Sequence, residues 1–152
     1  MSDIDIIIRI VLALFIGAII GFERERHGRA AGLRTHMLVC TGSALIAMTS
    51  IYLAENYGSI SQNCDPARVA AGIITGIGFL GAGTIIRSKT SVLGLTTAAS
   101  LWAVSGLGLA VGIGFYKAAI FAAIAIFLTL FVIGRVMWKY LGKGDAQLDI
   151  DG

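Results

Sequence analysis

Residues 4–22 read IDIIIRIVLALFIGAIIGF, and residues 23–34 follow at once as ERERHGRAAGLR. The first stretch is about the length an α-helix needs to cross the hydrocarbon core of a bilayer. The second concentrates six formal charges and a histidine. An apolar run ending abruptly in such a cluster reads as a membrane helix that meets a water surface at Glu23. The run starts on acidic residues, Asp3 and Asp5, and lacks a small-residue cleavage site, so it reads as a retained helix and not a signal peptide.

The rest of the chain agrees. Of 152 residues, 57% are apolar and 14% charged, whereas a soluble domain carries roughly a quarter charged residues. Too few polar side chains remain to cover a water-exposed surface. Four further apolar runs follow, giving spans at about 4–22, 35–53, 66–86, 91–115 and 118–138. The expected fold is all-α, a bundle of five transmembrane helices. It forms one membrane domain over residues 1–142, with a short polar tail at 143–152. Cys40 lies in an apolar run and Cys64 in a polar loop, so the two are not expected to pair.

Orientation follows from the basic residues. With five spans, Arg24, Arg26, Arg29, Arg34, Arg87, Lys89, Arg135, Lys139 and Lys143 fall on one side, and Arg9, Arg68 and Lys117 on the other. Nine against three predicts the N-terminus outside and the C-terminus in the cytoplasm. Tyr52, Tyr57, Phe115 and Tyr116 would then mark the outer interface, and Trp138 and Tyr140 the inner one. The net charge of +3 sits at the ends of apolar runs and not along one face, which argues against nucleic acid as a partner.

Ten of the 20 glycines lie between Gly72 and Gly114. Glycine weakens a helix in water, but in lipid it lets backbones approach. Gly17/Gly21, Gly72/Gly76 and Gly108/Gly112 form GxxxG steps. Thr96, Ala99, Ala103, Gly106, Ala110 and Gly114 form a small-residue stripe on the fourth run. Gly76, Gly78 and Gly81 match the dinucleotide fingerprint, but inside a membrane-length run they lack its strand–turn–helix context. Close helix packing explains them, or a helix broken near Gly81 and Gly83 whose free carbonyls could meet an ion.

No carboxylate falls near the middle of a span, which disfavours a midplane ion site. Glu23 and Glu25 sit where the first helix meets the surface. They either form exposed pairs, Glu23 with Arg26 or His27 and Glu25 with Arg29, or Glu23 turns inward toward Arg34 or a cation. As metal ligands, Glu23 and Glu25 would suit Mg²⁺, against the repulsion of four nearby arginines. Asp65 and Pro66 have the pattern of an N-cap and first helical residue. Arg68 would close onto Asp65, Glu55 or lipid phosphate. Arg9 should snorkel to the outer surface. Thr96, Thr97 and Ser100 can bond within or between helices. The Trp102 indole seeks an acceptor, for which a third-helix carbonyl would serve. His27 and His36 read as interfacial. No nucleophile–base pair, phosphate loop or cysteine cluster appears, so a non-enzymatic protein is expected.

Four segments together resemble the MgtC/SapB family of bacterial inner-membrane proteins: GAIIGFERE (17–25), AGLRTHMLVCTGSAL (31–45), DPARVAAGIITGIGFLGAGTII (65–86) and GLTTAASLW (94–102). The motif positions carried over are Glu23, Arg24, Arg34, Thr35, Arg68, Gly76, Gly78, Gly81, Gly83, Gly94, Thr97 and Trp102. The resemblance implies a five-helix protein of the bacterial inner membrane linked to Mg²⁺ homeostasis and adaptation to low Mg²⁺, with virulence roles in several pathogens. It favours a regulator acting on other membrane machinery, ATP synthase included, over a Mg²⁺ carrier, and it needs no cofactor beyond Mg²⁺ itself. Candidate cation or partner contacts are Glu23, Arg24, Glu25, Arg34, Asp65 and Arg68. Candidate packing positions are Gly72, Gly76, Gly78, Gly81, Gly83, Gly94, Thr96, Thr97 and Trp102. The alternative is a cation permease with a path along the third and fourth helices. Partners would be the bilayer, other membrane proteins or a second copy. Virulence-associated members often read GLNT where this chain has GLTT, so Thr96 replaces an amide able to bond across helices. Many members carry a soluble C-terminal domain, and this chain is expected to be a short or truncated one.

Overall fold

The computed structural model describes residues 1–57, 65–89 and 91–133. Cys64, the tail at 143–152, and Arg135, Trp138, Lys139, Tyr140 and Lys143 at the end of the fifth run lie outside the described residues. The elements are helices α1 (Asp3–Arg26), α2 (Leu33–Tyr57) and α3 (Pro66–Gly83), strands β1 (Ile86–Arg87) and β2 (Val92–Leu93), then α4 (Leu95–Gly112) and α5 (Tyr116–Leu128). A π-helical turn, Thr129–Ile133, prolongs α5. Among the described residues, five helices are long and apolar enough to cross a membrane. At 1.5 Å per residue, α1 reaches about 36 Å and α4 about 27 Å, bracketing a hydrocarbon core of roughly 30 Å. The protein is an all-α, multi-pass membrane protein.

Local chemistry sets the helix starts. The Ser2 hydroxyl accepts from the Asp5 amide and the Asp5 carboxylate accepts from the Ser2 amide, a reciprocal cap. Asp65 accepts from the Ala67 amide at 2.9 Å, and Pro66 supplies the first helical residue, as the sequence pattern predicts.

α1, α2 and α4 make the densest contacts, and glycines determine how closely they approach. A Cβ on Gly17 would stand 2.7 Å from the His36 carbonyl oxygen, and one on Gly21 2.8 Å from Leu33 Cα. On α4, a Cβ on Gly108 would stand 2.1 Å from the Cys40 carbonyl oxygen and one on Gly112 2.5 Å from that of Ala44. Two of the three GxxxG steps therefore bring backbones together. Their register makes α2 parallel to α4 and antiparallel to α1. Ala13, Ile16, Ile20, Cys40, Ala44, Val104, Leu107 and Val111 fill the space between them.

The third step behaves differently. At Gly72, Gly76, Gly78 and Gly83 an added Cβ would meet nothing within 4 Å, and at Gly81 it would make ordinary contact with Ala98. The expectation that these α3 glycines bring helices together is corrected: α3 leans on α4 through Ile77, which packs with Leu101, and leaves its glycine edge open. Gly72 and Gly76, with Gly42 of α2, line an apolar groove of about 520 Å³ between α2 and α3. Since nothing fills these positions, Gly72→Ala and Gly76→Ala are expected to stabilise the fold, each by up to about 1 kcal/mol, from helix propensity alone. A shift of the unfolding midpoint in mixed micelles checks this.

The small-residue stripe is also corrected. The buried face of α4 is Thr97, Ser100, Leu101, Val104, Ser105, Leu107, Gly108, Val111 and Gly112. Thr96 and Ala99 are exposed and Ala103, Gly106, Ala110 and Gly114 only half-buried. Trp102 is 55% exposed, on the outside of α4. α4 carries no charged residue, so its periodicity contains no signal that selects one face.

The third and fourth runs do not fill their expected lengths. α3 stops at Gly83, the region where a break was expected, and α4 begins at Leu95. Between them, Ile86 pairs with Leu93 and Arg87 with Val92 as an antiparallel ribbon. Gly94 closes it with φ +82°, where a Cβ would overlap the Thr84 carbonyl oxygen. Gly94 thus serves the turn and not helix packing. Gly94→Ala, forced into the left-handed region, is expected to cost about 2 kcal/mol, read as a lowered unfolding midpoint.

Arg9 does not snorkel. Its guanidinium donates to the Gly112 carbonyl at the end of α4 and, at 3.2 Å, to the Tyr116 hydroxyl. It lies 6.0 Å from the Tyr116 ring centroid. A cation at a helix C-terminus satisfies free carbonyls and the helix dipole together. Arg9→Met should therefore lose about 1 kcal/mol and loosen α4–α5, visible as faster hydrogen exchange at residues 110–116.

Candidate functional site

The charged segment after the first run is divided by helix geometry. α1 continues to Arg26, so residues 13, 16, 17, 20, 21, 23 and 24 share its buried face. Glu23 and Arg24 are carried inward on that face, 6% and 3% exposed. Glu23 Oε1 lies 3.1 Å from His27 Nδ1, and Oε2 lies 3.8 Å from Arg24 Nη1 without a hydrogen-bond donor of its own. Arg24 Nη2 donates to Thr97 Oγ1 on α4 at 3.4 Å. The exposed Glu23 pair is therefore half-corrected: His27 is a partner, but the carboxylate is buried. Arg34, the expected inward partner, is exposed.

Glu25 takes another route. Its Oε2 accepts from the Leu33 amide at 2.6 Å, so it caps the start of α2, where a negative charge meets free N–H groups. The two carboxylates therefore serve separate protein groups. Among the described residues, no group of three His, Cys, Asp or Glu gathers.

α2 and α4 complete the cluster. His36 is fully buried, with Nδ1 2.9 Å from the Gly32 carbonyl and Nε2 3.0 Å from Ser100 Oγ. Ser100 donates to the Thr97 carbonyl at 2.8 Å. His36 thus faces into the bundle at the start of α2. Its position was readable from spacing, since His36, Cys40, Ser43, Ala44 and Ala47 form one helical stripe. The result is a buried polar knot of Glu23, Arg24, His36, Thr97 and Ser100, where α1 ends and α2 and α4 begin.

Asp65 and Arg68 sit at the opposite end of the bundle, where α3 begins. Asp65 serves as an N-cap. Arg68 is exposed, and among the described residues it forms no ion pair with Asp65 or Glu55. The six candidate contact residues thus form no single site.

A five-helix membrane protein with a buried acid–guanidinium–imidazole knot at one end is the class this architecture defines. The MgtC family model matches residues 10–138, and the chain belongs to that family. It is 38% identical over 140 residues to "Putative magnesium transporter YhiD" of Escherichia coli K12, covering 91% of this chain and 65% of that protein. It is 39% identical over 139 residues to "Protein SapB" of Bacillus subtilis, covering 90% and 60%. It is 43% identical over 120 residues to "Protein MgtC" of Salmonella typhimurium LT2, covering 79% and 48%. The chain thus spans about half to two thirds of these relatives. No solved structure matches it.

Proposed function

We propose that this protein is a non-enzymatic regulator in the bacterial inner membrane, linked to Mg²⁺ homeostasis and acting through a partner membrane protein. Glu23 and Arg24 carry the reading. They are a carboxylate and a guanidinium buried side by side among the described residues, and Arg24 donates to Thr97 on α4. Such charges hold a bundle in one arrangement, whereas a permeation path needs charges that face water and exchange ions. The end with Glu23 faces the cytoplasm, because the arginines of residues 24–34 crowd it. The open glycine edge of α3 beside α2 supplies a surface on which a partner helix could pack closely.

A permease for Mg²⁺ or another cation is the second reading. It is supported by the printed name of the Escherichia coli relative and by Glu23 Oε2, which has no hydrogen-bond donor. Liposomes loaded with a Mg²⁺-sensitive dye separate the two. The regulator gives no flux above empty vesicles, while a permease gives flux that Glu23→Gln abolishes.

A further inference from the structure

His36 presents a proton-counting problem. The Gly32 carbonyl can only accept, so His36 Nδ1, 2.9 Å away, carries a hydrogen. Ser100 has one hydroxyl hydrogen, and the Thr97 carbonyl 2.8 Å from Oγ takes it. Oγ then has nothing to donate to His36 Nε2, 3.0 Å away. That contact is a hydrogen bond only if Nε2 carries a second hydrogen, which makes the ring an imidazolium. If the ring is neutral, the Ser100 hydroxyl must turn from the Thr97 carbonyl and donate to Nε2. Either arrangement pairs both ring nitrogens. They differ by one proton and one hydroxyl rotation.

We infer that His36 is a proton-binding site at the junction of α1, α2 and α4, with Ser100 as a two-position partner that accommodates both states. The proton comes from solvent and bonds to the Nε2 lone pair, and no other bond breaks. In the charged state Ser100 holds the Thr97 carbonyl. In the neutral state it releases that carbonyl on the same residue whose hydroxyl accepts from Arg24. Proton binding is thereby coupled to the α1–α4 contact.

The charged surroundings are few. α1 brings Glu23 and Arg24 within electrostatic reach of the ring, one favouring and the other opposing a positive charge. α4 offers hydroxyls and no ionisable side chain. The one charge on α3, Arg68, lies at the opposite end. On α2 itself, Arg34 is exposed and Cys40 lies one turn further on. This inference stands apart from the regulator reading, because the imidazole itself is the readout.

The test uses the full chain in nanodiscs, labelled with ¹⁵N-histidine. His27→Gln removes the exposed second histidine, and ring nitrogens are followed from about pH 5 to pH 8. Nδ1 is expected to stay protonated while Nε2 changes from bare to protonated. Glu23→Gln should lower proton affinity and Arg24→Gln raise it, each by about threefold or more. Ser100→Ala should lower it, because an imidazolium N–H loses its acceptor. A ring that does not titrate in this range, a change at Nδ1 in place of Nε2, or a midpoint unmoved by both charge changes would overturn the inference. The titration without further substitutions decides the first two, so a variant that fails to fold does not leave the question open.

Discussion

Replacing Gly108 with valine is expected to destabilise the fold by about 3 kcal/mol. A Cβ at this position would stand 2.1 Å from the Cys40 carbonyl oxygen, 2.9 Å from Cys40 C and 2.9 Å from Ser43 Cβ. Backbone cannot rotate out of the way, so α4 would have to move from α2 along its length. That shift would open the layer formed by Cys40, Ala44, Val104 and Leu107. Gly42→Ala, where nothing lies within 4 Å, serves as the control on the facing helix and should cost nothing. Equilibrium unfolding in mixed micelles reads both. Equal midpoints for the two variants would mean that α2 and α4 do not meet at Gly108.

Arg24→Leu should lose a similar amount, about 3 kcal/mol, by a different cause. It strands the Glu23 carboxylate, 6% exposed, without its cation, and an unpaired buried charge costs more than the pair contributes. Combining it with Glu23→Leu should recover most of the loss. The double variant would then unfold near the parent midpoint while Arg24→Leu alone unfolds well below it. Additive losses would show that the two residues do not act as a pair.

The five spans were legible because length and hydropathy suffice to find them. The ribbon between α3 and α4 was not, because Ile85, Ile86, Val92 and Leu93 are apolar enough to extend both flanking runs. Only Gly94 marks the turn, and its positive φ is a property of the folded backbone. Glu23 and Arg24 were placed at a surface because a count of apolar residues ends at Phe22. The helix itself continues for one more turn and carries both inward on the face of Gly17 and Ile20. Which glycines touch a neighbour could not be read at all. Gly72/Gly76 and Gly108/Gly112 have the same spacing, yet one step opens on a groove and the other meets α2. The choice depends on which helices are adjacent, and in chains as uniformly apolar as α4 no polar face records it.

The packing order also differs from the order of synthesis. α1 and α2 are joined by a short link and meet through Gly17 and Gly21, so they can pair as soon as α2 enters the bilayer. α3 comes next but leans chiefly on α4, which does not yet exist. Until α4 inserts, α3 has only its smaller contact with α2, and the Gly94 turn returns the chain to complete its packing. The α1–α2 pair can therefore form before the contacts that hold α3 are complete.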